Sequence, residues 1–207
     1  MMSTIDPLER ELRRSAPPPG EVPNVCEAAA AAGLLDIAYA TLDSPLGRLL
    51  LATTPQGLVR IAYLDYTDED AVLEDLARKL SPRVLAAAWR LDEPRRELDQ
   101  YFAGGRQDFD LPLDWRLTQG FARRVLEATA GIPYGATATY KQMASKAGNE
   151  RASRAAGNAL GSNPIPIVVP CHRILHSGGG LGGYTGGVDK KRLLLAVESG
   201  QSPLTGL

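Results

Sequence analysis

The chain has 207 residues, of which 44% are hydrophobic and 23% are charged. That length can bury a core in one or two domains without stabilising cross-links. No apolar run reaches the roughly 20 residues that a membrane-spanning helix needs. The charged start MMSTIDPLERELRRS lacks the apolar core of a signal peptide. Two cysteines exclude a disulfide framework, so we expect a protein of the cytoplasm.

The two halves of the chain differ in charge. Residues 1–119 carry 13 Lys and Arg against 20 Asp and Glu, a net of −7, whereas residues 120–207 carry 10 against 4, a net of +6. A basic C-terminal half indicates an anionic partner, and nucleic acid is the most common class.

The first half reads as an extension followed by an α/β domain. Residues 1–36 form the extension, with the proline run APPPGEVP and a short Ala-rich helix after it. An antiparallel meander follows, with strands at about 37–42, 47–54 and 57–64 joined by the turns DSPLG and TPQG. Two amphipathic helices are predicted over 68–80 and 93–104, and an extended link over 109–117 closes the 37–118 domain.

The second half, 119–207, is predicted to be mostly helical. Helices are expected over 120–132, 139–148 and 150–161, and the tight turn between the last two indicates a helix-turn-helix or another small helical hairpin. The third helix is nearly bare of bulky side chains, so it can press its backbone against DNA or pack closely on another helix. Its charges, Arg151 and Arg154, favour DNA.

The segment NPIPIVVPCHR contains the candidate reactive residues. Residues 165–169 predict a short buried strand, and Cys171 follows it directly after a proline. The neighbouring His172 and Arg173 favour a reactive thiolate, although a lone Cys-His pair is also compatible with a buried structural cysteine. We take His176 as non-catalytic and Cys26 as a bystander.

Three ordered segments resemble the O6-alkylguanine-DNA alkyltransferases, also called methylated-DNA–protein-cysteine methyltransferases. NPIPIVVPCHR is similar to their active-site signature, and IPYGATATYKQMASKAGNERASRAAGNALGSNP to their helix-turn-helix with its Arg-Ala-x-Gly motif. HSGGGLGGYTGGVDKKRLLLAVESG is similar to their Gly-rich loop and closing helix. The similarity is strong over about 119–200 and weaker over 37–118.

The resemblance implies four catalytic residues. Cys171 stands where the family has its alkyl acceptor, and His172 stands where a histidine takes the thiol proton through a water. Glu198 matches the residue that orients this histidine, and Asn163 matches the one that supports the Cys-His network.

The resemblance also implies five residues that bind DNA or the damaged base. Tyr140 crowds a phosphate and helps to rotate the nucleotide out, while Arg154 fills the vacated place in the base stack. Tyr184 lies near the guanine O6, and Asn149 and Ser177 match further DNA or pocket positions. Gly161 replaces a basic residue of some members, which weakens a phosphate contact.

The implied function is direct-reversal DNA repair, an irreversible single-turnover transfer of the alkyl group from O6-alkylguanine to Cys171 after the nucleotide is flipped. O4-alkylthymine is a second candidate substrate. The implied partner is double-stranded DNA that contains the lesion, without a membrane and with the protein monomeric. No cofactor is expected. No metal is expected either, because the first half has no Cys/His set like the zinc site of some members. The Gly-rich stretch 178–187 lacks a Walker ending, which argues against a nucleotide.

Three other functions compete with this interpretation. A lesion-binding relative that transfers nothing would lack Cys171. A transcriptional regulator would need a second DNA-binding module, and the extension is too short to supply one. A cysteine hydrolase usually draws its histidine from a distant segment and needs an oxyanion site, which no motif here predicts.

Overall fold

The computed structural model describes residues 25–200. Internal contacts divide the chain into two compact units, Met1–Leu35 and Asp36–Leu207. In the first unit the Ala-rich run forms helix α1, Val25–Ala31, as the sequence predicts. The proline run and the rest of the predicted extension before residue 25 lie outside the described residues. Among the residues described, no helix is long and apolar enough to cross a membrane.

A four-stranded mixed sheet opens the second unit. Strands β1 (Ile37–Leu42), β2 (Leu49–Thr54) and β3 (Gly57–Tyr63) form the predicted meander. The sequence did not predict β4 (Val84–Ala86), which pairs parallel with β1 and gives the order β3-β2-β1-β4. Its three residues are too few to show an alternating pattern.

Helices pack on the sheet and continue the chain. Helix α2 (Glu69–Lys79) begins at Asp68, whose carboxylate accepts from the Ala71 amide at 3.3 Å. Its buried side chains join one core with the residues on one face of the sheet. Helix α3 (Asp92–Phe102) follows a short 3-10 turn, Ala88–Leu91. The predicted link carries an isolated bridge between Leu58 and Leu113 and the 3-10 turn Trp115–Leu117.

The C-terminal part is helical, as predicted. Helices α4 (Gly120–Ala130), α5 (Tyr140–Lys146) and α6 (Ser153–Gly161) pack against one another. Helix α5 begins with a capping box, in which Thr139 and Gln142 each bond the other's backbone amide. Helix α7 (Val188–Glu198) closes the fold, and the two-residue strands β5 (Ala138–Thr139) and β6 (Ile174–Leu175) pair parallel.

The turn between α5 and α6 is longer than the sequence predicts, so α6 begins at Ser153 rather than at residue 150. Asn149 holds this turn, because its side chain accepts from the Arg151 amide at 3.2 Å and its carbonyl accepts from the Ala152 amide at 3.0 Å. The helix α6, which has few bulky side chains, packs closely on its neighbours along one face and leaves another face open. Ala156 and Ala159 are buried against the other helices, while Ala155 faces outward.

The predicted strand over residues 165–169 is wrong. The segment is buried as expected, but it forms a tight turn in which the Val169 amide donates to the Ile165 carbonyl at 2.9 Å. Ile167 has a φ of 76°, a left-handed conformation that a β-branched residue rarely adopts. Apolar runs of this length do not by themselves distinguish a strand from a buried turn.

Candidate active site

Cys171 begins a 3-10 turn, Cys171–Arg173, directly after the buried turn. Its side chain is almost fully buried, and its Sγ accepts a hydrogen bond from Asn163 Nδ2 at 3.1 Å. Asn163 is itself fixed, because it donates to the Val169 carbonyl at 2.8 Å and accepts from the Ile165 amide at 3.0 Å. The turn thus holds the thiol in one position.

The Cys171 thiol carries its proton at neutral pH. Burial raises the pKa of this thiol to about 11, against the opposing effects of the Asn163 hydrogen bond and the Lys191 charge. Its reactivity as a nucleophile therefore requires a nearby base.

His172, the next residue in the chain, has the surroundings that a base needs. Its Nε2 lies 2.8 Å from Glu198 Oε1, and both side chains are buried. Although burial raises the pKa of Glu198, hydrogen bonds from His172, Arg173 and Tyr101 lower it to about 2. The carboxylate is therefore ionised and only accepts, so Nε2 must donate.

The tautomer leaves the other ring nitrogen free to accept a proton. Burial lowers the pKa of His172, against the opposing effect of Glu198, so the imidazole is neutral. Nδ1 then carries the lone pair, and it is buried with no hydrogen-bond partner among the residues that the structure describes. Among the described residues, Arg60 Nε is the only other buried side-chain nitrogen or oxygen that lacks a hydrogen-bond partner.

Glu198 is the centre of a larger network. Arg173 donates to it from Nε at 2.9 Å and from Nη2 at 2.8 Å, and the Tyr101 hydroxyl donates at 2.7 Å. The Gly135 amide adds a further bond at 3.2 Å. Four residues, with His172 among them, therefore donate to the carboxylate, and the carboxylate in turn fixes the orientation of the His172 ring.

Sequence reasoning missed three residues of this site. For Arg173 the sequence predicts only a positive potential that favours the thiolate, although the residue stands beside His172 in the motif. Tyr101 lies 97 positions before Glu198, and no sequence pattern links the two. Lys191 is fully buried, and its ammonium donates to the carbonyls of Ile174 and Leu181. The only feature of the sequence that could have indicated Lys191 is its position among apolar residues of the last helix.

A cavity of about 630 Å³ opens onto Cys171. Helix α6 contributes Arg154, the start of α5 contributes Tyr140, and the Gly-rich loop contributes Tyr184. The predicted acceptor and three of the predicted DNA-binding residues therefore line one space, which is large enough for a purine base with a small substituent.

Asn149 and Ser177 do not line this cavity; both are exposed, Asn149 in the turn before α6 and Ser177 in the loop after β6. His176 does line it, with its ring centroid 5.1 Å from that of Tyr140. Cys26 belongs to the other unit. Across residues 25–200 no group of three or more His, Cys, Asp or Glu side chains is arranged to hold a metal ion.

Comparisons with known protein families match both parts of the second unit. Residues 37–115 match the family model described as 6-O-methylguanine DNA methyltransferase, ribonuclease-like domain. Residues 120–200 match the model described as 6-O-methylguanine DNA methyltransferase, DNA binding domain.

Curated relatives give the same result. The chain is 42% identical to the methylated-DNA–protein-cysteine methyltransferase of Mycolicibacterium paratuberculosis over 167 residues, which are 81% of this chain and 95% of the relative. It is 34% identical to the constitutive enzyme of that name from Bacillus subtilis, over 77% of this chain and 94% of the relative.

A solved structure agrees as well. Mycobacterium tuberculosis OGT in complex with DNA matches with a TM-score of 0.68 and 36% identity, over 80% of this chain and 95% of that one. The predicted fold class, an α/β domain followed by a helical DNA-binding domain, is thereby confirmed.

Proposed function

The chain belongs to the 6-O-methylguanine DNA methyltransferase family, and from this premise we propose that Cys171 is its alkyl acceptor and His172 its base. The function is direct-reversal repair of DNA, in which the alkyl group of O6-alkylguanine passes irreversibly to a cysteine of the protein. The partner is alkylated double-stranded DNA, in line with the DNA complex of the M. tuberculosis protein.

One observation carries the assignment to Cys171. It is the thiol on the surface of the cavity, and it is followed in the chain by an imidazole whose free nitrogen is buried and whose other nitrogen is bound by a carboxylate. Such an arrangement supports removal of the thiol proton by His172.

The transfer is a direct displacement at the alkyl carbon. The thiol proton moves to His172 Nδ1, through the water that the family resemblance implies. The Cys171 sulfur then forms a bond to the alkyl carbon as the carbon–oxygen bond breaks, and the electron pair of that bond stays on the guanine. The guanine takes up one proton and His172 gives up the one it received, so the protons balance. The thioether product cannot be displaced easily, so each molecule acts once.

The damaged nucleotide must leave the duplex to reach Cys171, and unstacking a base costs a few kcal/mol. Arg154 lies on α6 at the cavity and is exposed, so it is placed to fill the gap in the stack and to offset part of that cost. Tyr140 lies at the same opening, where its ring can crowd the backbone of the rotated nucleotide. Asn149 and Ser177 are exposed outside the cavity, so we assign them contacts with the duplex rather than with the flipped base.

Two finer assignments complete the proposal. The protein works in the cytoplasm, where a reducing medium keeps its acceptor thiol free. Its domains divide at about residues 118 and 119, between the two matched segments.

A pair of cysteine variants tests the acceptor. Cys171→Ala should abolish transfer of a labelled methyl group from a duplex with one O6-methylguanine, while affinity for that duplex is kept. Cys26→Ala is the matched control and should transfer as the parent protein does. Transfer by the Cys171 variant would overturn the assignment.

A further inference from the structure

The Gly-rich loop 178–187 forms part of the cavity wall but has little stiffness of its own. Seven of its ten residues are glycine, and glycine restricts the backbone less than any other residue. Gly183, Tyr184 and Thr185 of this loop line the cavity. Contacts from outside the loop must therefore fix the shape of this wall.

The Lys191 ammonium of α7 holds the Leu181 carbonyl of this loop, whereas Tyr184 is held from the N-terminal sheet, by Tyr63 at the end of β3. The Tyr63 and Tyr184 hydroxyls share a hydrogen bond of 2.7 Å, and their rings meet edge to face with centroids 6.0 Å apart. The Tyr63 ring also lies against Gly186, where an added Cβ would come within 2.6 Å of it. The loop and this ring fit together only because residue 186 has no side chain.

A second contact secures the far end of the loop. The Lys190 ammonium lies 2.6 Å from Asp65 Oδ2 and donates to the Leu46 carbonyl. It also lies over the Tyr63 ring, 5.2 Å from its centroid. Both ends of the 184–190 segment are thus held to the same region of the sheet.

Tyr63 is itself held rigidly. It is 3% exposed and pairs with Leu49 in the sheet. Two residues earlier the Ile61 amide donates to the Pro164 carbonyl at 2.8 Å, beside the asparagine that holds the Cys171 sulfur. Cys171 and Tyr63 are therefore held in position by adjoining parts of the same hydrogen-bonded structure.

Tyr184 is the part of the wall that faces the reacting centre. It lines the cavity with Cys171, and its ring stands edge-on to His172 with centroids 6.3 Å apart. This ring is therefore part of the wall of the space that the alkyl group must enter to reach the sulfur. The room there depends on whether the ring can turn away.

We propose that Tyr63 is a specificity-determining positioning residue, whose hydroxyl holds the Tyr184 ring in place and so limits the size of the alkyl group that reaches Cys171. This inference rests on the proposed function. A methyl group needs no movement of the ring, whereas a benzyl group must displace it and break the Tyr63–Tyr184 hydrogen bond.

The test compares two substrates in Tyr63→Phe, which keeps the ring that packs on Gly186 and removes only the hydroxyl. Transfer rates are measured with duplexes carrying O6-methylguanine or O6-benzylguanine. Loss of one hydrogen bond should raise the benzyl-to-methyl ratio of rates about three- to tenfold. Tyr66→Phe is the matched control, because the Tyr66 hydroxyl lies beside Gly187 of the same loop rather than on Tyr184 and the residue is 62% exposed, so its ratio should not move.

Gly186→Ala gives an independent variant that pushes the loop away from Tyr63 and should raise the ratio in the same direction. Thermal unfolding of each variant shows whether the fold is kept. Equal changes in both rates, or a ratio unchanged in both variants, would overturn the role of Tyr63. Transfer of neither group by the parent protein would instead overturn the proposed function itself.

Discussion

At the scale of single residues, the site keeps the Cys171 thiol and the His172 ring neutral and its negative charge on one carboxylate, Glu198. The thiol of Cys171 and the imidazole of His172 are both uncharged in the free protein, because both are buried. Glu198 is charged and is stabilised by four donors. The protein thus avoids a standing thiolate that would react without a lesion, and it holds the base ready in the required tautomer.

The ionisation of Glu198 ties stability to pH. Its pKa is lowered from 4.5 to about 2 in the folded protein, so it contributes stability above pH 4.5 that is lost as the pH falls towards 2. The contribution is on the order of 3 kcal/mol. Urea unfolding between pH 7 and pH 2 should show this loss.

Glu198→Gln is the control for that titration. It should be less stable than the parent protein at pH 7 and should lose less stability towards pH 2, keeping the part that comes from Asp36, Asp75 and Asp114, whose pKa values are also lowered. Its transfer should be slower but not abolished, since Glu198 only orients His172. Identical pH profiles for the two proteins would contradict the role of the carboxylate.

The sequence could indicate the residues that are neighbours within a motif and not those that meet only in space. Cys171, His172 and Asn163 stand within ten positions, and the structure brings them together. Tyr101 and Tyr63 come from the first half of the chain, where their types and spacing are those of ordinary core residues. Only the packing of the sheet and α3 against the C-terminal part brings them to the site.

At the scale of elements, α6 is the part that would enter the DNA. Its buried alanines keep it close to the other helices, and its exposed Arg154 stands at the cavity. Arg151 lies in the preceding turn, outside the cavity, and carries the same charge. Substitution of each arginine can therefore distinguish insertion into the base stack, expected of Arg154, from general attraction to phosphates, expected of Arg151.

Arg154→Ala should slow transfer from duplex DNA at saturating protein by about tenfold or more, since the flipped state loses the side chain that fills the gap. Arg151→Ala should weaken binding in a salt-dependent way and leave the rate at saturation nearly unchanged. Rapid-quench measurement of transfer checks both variants. Equal rates for Arg154→Ala and the parent protein would refute the inserted arginine.

The helices and strands could be predicted where the sequence has a regular apolar pattern or a clear start or stop signal. The meander follows its apolar runs between the turns DSPLG and TPQG, and helices α2 to α5 match their predicted ranges to within a few residues. The buried turn at 165–169 was not predictable, because its apolar residues suit a strand equally well. Its shape comes from the Asn163 side chain and the Val169–Ile165 bond, both of which depend on the finished fold.

At the scale of the whole second unit, the N-terminal sheet and helices support the site as well as the fold. Tyr101 of α3 bonds Glu198 of α7, and Lys190 of α7 bonds Asp65 after β3. The family match names this part only as a ribonuclease-like domain. Its contacts here give it a direct part in fixing both the carboxylate and the cavity wall.

Tyr101→Phe measures this support. The ring stays in the core, but a buried carboxylate loses one donor, so the free energy of unfolding should fall by about 1–3 kcal/mol and transfer should slow. Tyr134→Phe is the matched control, since its hydroxyl donates at 3.1 Å to the neutral Val197 carbonyl on the same helix. Urea unfolding of both should show the larger loss for Tyr101→Phe; an equal or smaller loss would contradict this account.

The proposed function requires that one thiol, that of Cys171, accepts one alkyl group from damaged DNA. The most direct measurement mixes the full chain with an excess of a duplex that contains one O6-methylguanine and follows its peptides by mass spectrometry. We expect one methyl group on the peptide that contains Cys171, none on the peptide that contains Cys26, and a reaction that stops at one equivalent. A duplex that is bound tightly but keeps its methyl group, or a methyl group on any other residue, would contradict it.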